Sequence, residues 1–245
     1  MSDAHGLAGR TVLVTGATRG IGRVLALALK SPSARVAITG RDAAALADTA
    51  EALRGAGGGA PVALTLDLEA VDGPDALAPV LRDRLGTLDA LVLNAATGAP
   101  RTPIVDQPEA EWRRSFQVNV HAQRALLAAA HPLLAASGAG RVVWISTGVA
   151  RRAKAGTGAY AVSKAAFDWT AALYALDVAG TSIRSNVVNP GPTRTAMRAA
   201  AFPHEDPATL KPPEALLPLL LALCAPGCTL HGATIDADDW LAGRR

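Results

Sequence analysis

Cysteine is nearly absent: Cys224 and Cys228 are the only two in 245 residues. Their i, i+4 spacing in an apolar stretch suits small core residues on one helix face, whereas a redox or metal pair would need a tighter Cys-x-x-Cys or further ligands. The five histidines, His5, His121, His131, His204 and His231, show no metal-ligand spacing either, so no metal site is expected. Charge of one sign is also scarce. The formal net charge is +3, and the paired basics Arg113–Arg114, Arg151–Arg152 and Arg244–Arg245 are scattered, which suits a solvated surface better than a nucleic-acid footprint. Long hydrophobic runs are missing: the strongest, over residues 215–225, contains Pro218 and is too short to span a bilayer. Residues 1–9 carry no basic-then-apolar leader, and the expectation is a soluble, cytoplasmic protein with no membrane partner.

Core-forming material, by contrast, is plentiful. Half of the chain is hydrophobic and 18% is charged, and the length suits one full-sized domain better than two. Short β-branched runs alternate with Ala/Leu-rich stretches. Strands are expected at 10–15, 34–39, 62–67, 90–93, 141–146, 182–188 and 233–236. Helices are expected from the glycine-rich turn to about residue 30, from an Asp42 N-cap to about 54 with glycines 55–59 as the stop, and at 73–85, 109–137, 159–179 and 213–224. Strand–helix repetition of this kind predicts an α/β, single-domain Rossmann fold over residues 1–245. Its doubly wound, mostly parallel seven-stranded sheet would carry helices on both faces and bind ligands at the carboxyl ends of the strands.

Thr15-Gly16-Ala17-Thr18-Arg19-Gly20-Ile21-Gly22 falls between the first strand and the first helix. Glycine is needed where the backbone turns sharply or approaches a pyrophosphate, and the helix start adds free N–H groups and partial positive charge. The spacing Thr-Gly-x-x-x-Gly-x-Gly resembles the short-chain dehydrogenase/reductase family. A second match lies in Tyr160-Ala161-Val162-Ser163-Lys164, which sets a phenol and an ammonium on one helix face. With two tyrosines and four lysines in the chain, chance supplies such a pair about 0.03 times per sequence. A neighbouring ammonium and a cationic nicotinamide ring would both favour the phenolate, which lets a tyrosine exchange a proton near neutral pH.

The resemblance implies a nicotinamide-dependent oxidoreductase interconverting a carbonyl and an alcohol on a small-molecule substrate, with Tyr160 as general acid/base. Lys164 is implied at the nicotinamide ribose and Asn119 in a water relay to the lysine. Thirteen positions before Tyr160 stands Thr147, the implied holder of the substrate oxygen in place of the family's serine; Ser146 is the alternative if the strand end is bulged, since successive strand residues face opposite ways. Cofactor contacts are implied for Gly16, Thr18, Arg19, Gly20, Ile21 and Gly22, for Asp67 and Leu68 near the adenine, and for Asn94 and Ala95 after the fourth strand. Alanine at 96 departs from the family's glycine. Pro190, Gly191, Thr193 and Thr195 complete the implied set. The second strand ends in Gly40-Arg41 where NAD-selective folds place an acid, and Arg19 and Arg41 without a competing carboxylate favour NADP(H). Asp42 reads as a helix cap rather than as that acid.

Residues 193–212 are expected to form a long irregular loop that closes over the substrate. The acidic cluster Asp236, Asp238, Asp239 replaces the family's Asp-Gly-Gly and reads as a solvated turn. The resemblance to a poorly characterised bacterial branch leaves the substrate open, and it implies a homodimer or homotetramer built on the helices at 109–137 and 159–179. Two other readings stand beside the first. One is a cofactor-binding regulatory or scaffold protein with lost chemistry, suggested by Thr147 and Ala96; the other is a sugar epimerase or dehydratase, disfavoured by chain length and glycine spacing.

Overall fold

A computed structural model describes residues 6–30, 34–55, 60–73 and 75–244. The helix-stop glycines after Gly55, the first five residues of the leader reading, His5 and Arg245 lie outside the described residues. The order is β1 (Thr11–Val14), α1 (Gly20–Ala28), β2 (Arg35–Gly40), α2 (Ala43–Gly55), β3 (Val62–Thr65), α3 (Ala78–Leu85), β4 (Ala90–Leu93), α4 (Glu109–Phe116), a π-helical turn (Gln117–His121) and α5 (Ala122–Ala136). There follow β5 (Arg141–Ile145), α6 (Gly158–Asp177), β6 (Arg184–Asn189), α7 (Ala196–Ala201), α8 (Leu217–Cys224), β7 (Thr234–Asp236) and α9 (Ala237–Leu241).

The seven strands form one sheet in the order β3-β2-β1-β4-β5-β6-β7, with every pairing parallel. Strand residues alternate between two cores because their side chains point to opposite faces. Leu13, Leu91, Leu93, Val142 and Trp144 pack with α3, α5 and α6 on one face. Val12, Val14, Ala90, Val92, Val143 and Ile145 pack with α1, α2 and α8 on the other. The chain leaves β1 toward β2 on one side and returns to β4 on the other. That reversal opens a crevice at the carboxyl ends of β1 and β4, where ligands bind in sheets of this kind.

Four local differences from the sequence expectations have physical causes. The helix expected over 109–137 is interrupted by the π turn, which buries Val118 and Asn119. Three amides tie that turn to neighbouring loops. Gln117 Nε2 donates to the carbonyls of Leu68 (3.2 Å) and Val71 (2.8 Å), Gln123 Nε2 to those of Ala95 (2.8 Å) and Val118 (3.1 Å), and Asn119 brackets Thr97. The helix expected at 73–85 starts only at Ala78. Cys224 ends α8 and is fully buried, its thiol pushed up to about 12, while Cys228 lies beyond the helix, so the two do not share a helix face. Residues 193–212 are not wholly irregular: they hold α7 and a parallel bridge between Thr193 and Lys211. Asp42 caps α2 through Oδ1, which accepts from the N–H groups of Ala44 (3.0 Å) and Ala45 (3.1 Å).

Among the described residues no helix is long and apolar enough to cross a membrane, and no group of three or more His, Cys, Asp or Glu side chains is placed to hold a metal ion.

Candidate active site

One cleft of about 1210 Å³ runs along the carboxyl ends of the strands. Every expected site residue lines it except Gly22 and Asn119. Both of these act from behind the wall.

The β1 end is built by backbone. Thr15 is completely buried, and its hydroxyl donates to Val92 O (3.2 Å) while accepting from the N–H groups of Asn94 (2.9 Å) and Ala95 (3.0 Å). Asn94 Nδ2 donates to the carbonyls of Thr15 (2.8 Å) and Gly16 (3.2 Å). The turn after β1 is thus clamped to the end of β4. Gly16 has φ +64°, and a Cβ there would lie 2.9 Å from Ala95 Cα. A Cβ on Gly22 would overlap the Gly16 carbonyl oxygen and Asn94 Nδ2, so Gly22 allows α1 to pack against the turn. Arg19 at the start of α1 provides no side-chain cap, and Gly20 and Ile21 of the first turn line the cleft, where uncapped helix N–H groups make an anion cradle. Thr195 sits over this cradle, its methyl carbon 3.4 Å from where a Gly20 Cβ would be. The Thr195 hydroxyl caps α7 by accepting from Arg198 N–H (3.2 Å).

The end of β2 excludes an acid by packing. Gly40 lies against the Thr18 methyl, which a Cβ at 40 would overlap. Arg19 and Arg41 are exposed beside it. The expectation that no carboxylate competes for them needs correction: Glu69 accepts from Arg41 (3.3 Å) and Arg114 (2.8 Å). Sequence could not reveal this, because Glu69 arrives from the loop after β3. The Arg41 pair is exposed on both sides and holds the arginine only weakly. Asp67 Oδ1 accepts from Glu69 N–H (3.0 Å), and the buried Leu68 lines the cleft next to it. Ala96 costs nothing, since no non-glycine residue among those described has positive φ.

Side chains build the β5 end. Gln107 Oε1 accepts from Ala159 N–H (2.6 Å) at the start of α6, which carries Tyr160 and Lys164. Lys164 is 2% exposed and donates to Ile145 O (2.7 Å), with its ammonium 3.7 Å from the Phe167 ring centre. Burial lowers its pKa to about 7, opposed by the charge of Asp168. Burial also raises the Tyr160 phenol, opposed by a hydrogen bond with Thr147. Desolvation is the larger effect at the phenol.

The two candidate hydroxyls, both just beyond β5 and both at the cleft wall, have different partners. Ser146 is buried and donates to Asp168 Oδ1. Thr147, in extended conformation, is the one beside Tyr160. Asp168 was not anticipated, although it lies four residues after Lys164, on the same helix face. Its Oδ2 is buried without a partner, and burial raises its carboxyl. Asn119 is completely buried. Its Oδ1 accepts from Thr97 N–H (2.9 Å) and its Nδ2 donates to Thr97 O (3.0 Å) and Ser163 Oγ (3.0 Å). Ser163 in turn donates to Tyr160 O (2.9 Å).

The segment after β6 is held by the acidic cluster that read as a solvated turn. Asn189 Nδ2 donates to Asp236 (2.8 Å), Asn189 Oδ1 accepts from Gly191 N–H (3.1 Å), and Lys211 pairs with Asp238. Asp238 and Asp239, the latter paired with Arg244 (2.8 Å), are exposed and fit the solvated reading; Asp236 does not. Thr193 donates to the carbonyls of Pro190 (3.3 Å) and Gly191 (3.2 Å). These contacts fix Pro190 to Thr195 at the cleft wall.

Comparison with known proteins agrees with this geometry. The uncharacterized oxidoreductase YciK of Escherichia coli K12 is 38% identical over 231 residues, covering 93% of this chain and 91% of its own. A short chain dehydrogenase of Shigella flexneri, solved in complex with NADP, superposes with a TM-score of 0.91 at 36% identity, over 96% of this chain and 99% of its own. Another from Escherichia coli CFT073, in complex with NADPH, gives 0.90 at 37% identity, over 95% and 98%. The family model described as short chain dehydrogenase matches residues 10–206. The chain belongs to the short chain dehydrogenase family.

Proposed function

We propose that the protein is an NADP(H)-dependent oxidoreductase that interconverts a carbonyl and an alcohol, with Tyr160 as the general acid/base. The observation that carries this reading is the pairing of Thr147 with Tyr160 in the same cleft as an uncapped, glycine-walled helix start. When bound there, the coenzyme supplies or accepts the hydride.

The chain's own residues do the rest. Gly16, Thr18, Gly20 and Ile21 give the pyrophosphate a close backbone approach, and Arg19 and Arg41 meet a 2′-phosphate, Arg41 by exchanging Glu69 for it. Asp67 and Leu68 flank the adenine, Asn94 and Ala95 the ribose, and Pro190, Gly191, Thr193 and Thr195 the nicotinamide end. The neighbours solved with NADP and NADPH support the phosphorylated coenzyme. Thr147 orients the substrate oxygen. Burial keeps the Tyr160 phenol protonated, so the resting site is suited to donate a proton to a carbonyl oxygen as it gains charge. Lys164, with a pKa of about 7, is matched to return that proton near neutrality. Asn119 acts as an anchor: its amide is engaged by Thr97 and Ser163, which hold the loop after β4 and the backbone of Tyr160.

Val162, Trp169, Leu173 and Leu176 leave an apolar stripe exposed along α6, 40% to 73% exposed, and a second copy of the chain is the partner we assign to it, as a homodimer or a pair of such dimers. A panel of carbonyls and alcohols run with NADPH and NADH in parallel tests the function. NADPH-linked turnover supports it, and tight coenzyme binding without turnover of any member contradicts it.

A further inference from the structure

Three loops that follow three different strands meet at the open mouth of the cleft, and each brings a cation. Arg101 comes after β4, Lys154 after β5 and Arg198 from α7 after β6. All three converge on one half-buried aromatic ring, Phe202. The Arg198 guanidinium carbon lies 3.7 Å from the ring centre, that of Arg101 4.7 Å, and Lys154 Nζ 5.1 Å. The loops are built to meet: Arg101 donates to Ala155 O (3.1 Å), and Gly156 stands against the backbone of residues 101–102. Lys154 opens the turn that leads into α6, where its carbonyl accepts from Thr157 N–H (3.2 Å) and the Thr157 hydroxyl (2.6 Å).

The charges at this mouth do not balance. Glu205 engages Arg198 with both oxygens, at 2.5 and 2.6 Å, and Arg198, with a smaller contribution from the more distant Lys154 charge, holds its carboxyl below the usual range. Among the described residues neither Arg101 nor Lys154 has a carboxylate at ion-pair distance. The other carboxylates lining the cleft are Asp67 and Glu69 in the loop after β3 and Glu111 on α4, and Glu69 and Glu111 both pair with Arg114. An aromatic face offsets part of the repulsion among like charges, yet a mouth carrying three cations and one anion has two positive charges to spare. Both surplus cations line the cleft that holds Tyr160.

We infer that Arg101 and Lys154, gathered on Phe202, recognise an anionic group, carboxylate or phosphate, on the part of the substrate remote from its reacting carbonyl. The inference rests on the oxidoreductase reading and narrows its substrate class to charged oxo compounds. Phe202 and the Arg198–Glu205 pair then serve as the frame of a lid that shuts on the charged tail.

The test is a ladder of straight-chain oxo compounds of increasing length, each ending in a carboxylate, a phosphate or a neutral methyl ester, assayed with NADPH. At low salt the anionic members should exceed the ester in kcat/KM by about tenfold or more, mainly through KM, as charge-assisted contacts allow. Added salt should erode that ratio. In the double variant Arg101→Gln, Lys154→Gln the anion-to-ester ratio should approach one, and whether the carboxylate or the phosphate arm falls further identifies the anion. Equal kcat/KM for anions and ester in the unaltered protein, or a preference that survives in the double variant, overturns this inference while leaving the oxidoreductase reading intact. No turnover of any member despite bound NADPH overturns both.

Discussion

The β1 end of the cleft recognises with backbone, whereas the β5–β6 end recognises with side chains drawn from separate loops. At the first, Gly16 and Gly22 let a turn and a helix start come close to β4, and the groups offered to a ligand are N–H groups fixed by the fold. At the second, Thr147, Tyr160 and the charged mouth depend on where β5, α6 and α7 set their side chains. The first is rigid by construction; the second adapts by substitution. A family can therefore keep one coenzyme end and vary the substrate it accepts at the other.

The strongest way to break the comparison is at Gly22. A Gly22→Val side chain would overlap the Gly16 carbonyl and Asn94, neither of which can move without unclamping the turn. Coenzyme affinity should fall by about a hundredfold or more, given the 1–3 kcal/mol typical of overpacking plus loss of the cradle. Titration of NADPH fluorescence measures this. The matching change at the other end is Thr147→Val, which keeps shape and removes the hydroxyl. We expect kcat to drop by about a hundredfold, in the range for losing one oxyanion donor, with NADPH affinity nearly unchanged. An equal loss of affinity would mean that the two ends are not separable.

Smaller effects sharpen the picture. Removing Arg19 and Arg41 together should cost NADPH about tenfold in affinity and leave NADH almost untouched, because only the former carries the 2′-phosphate. Asp168→Asn should alter the pH profile more than the maximal rate. The Asp168 charge raises the Lys164 pKa, so its neutralisation moves the limb set by Lys164 from about 7 to lower pH. The same depressed value has a sign for stability. The unfolded chain binds more protons at Lys164 between pH about 7 and the ordinary lysine value of 10.5, so this group's contribution to stability rises with pH across that window. Trp169→Glu should leave turnover chemistry in place but reduce the light-scattering mass to that of a single chain, since it puts a charge in the exposed stripe of α6.

What was legible in the sequence follows the same division. The order of strands and helices could be read because most strands are short buried runs, and the coenzyme end could be read because its glycines and its helix start are neighbours in the chain. The pairing of Glu69 with Arg41, the bond from Ser146 to Asp168 and the tie from Asn189 to Asp236 join residues 22 to 47 positions apart, and no local spacing announces them. The π turn at Gln117–His121 was hidden for a similar reason, since it is stabilised by amides reaching into the loops after β3 and β4. Asp168 alone was within reach, one helical turn beyond Lys164.

The most direct test of the central claim is Tyr160→Phe, assayed both for NADPH binding and for single-turnover oxidation of NADPH with a carbonyl that the unaltered protein reduces. The account predicts that NADPH binds with nearly unchanged affinity while turnover falls below detection, because only the proton donor has been removed. Retained turnover, or loss of NADPH binding with the phenol, would contradict it.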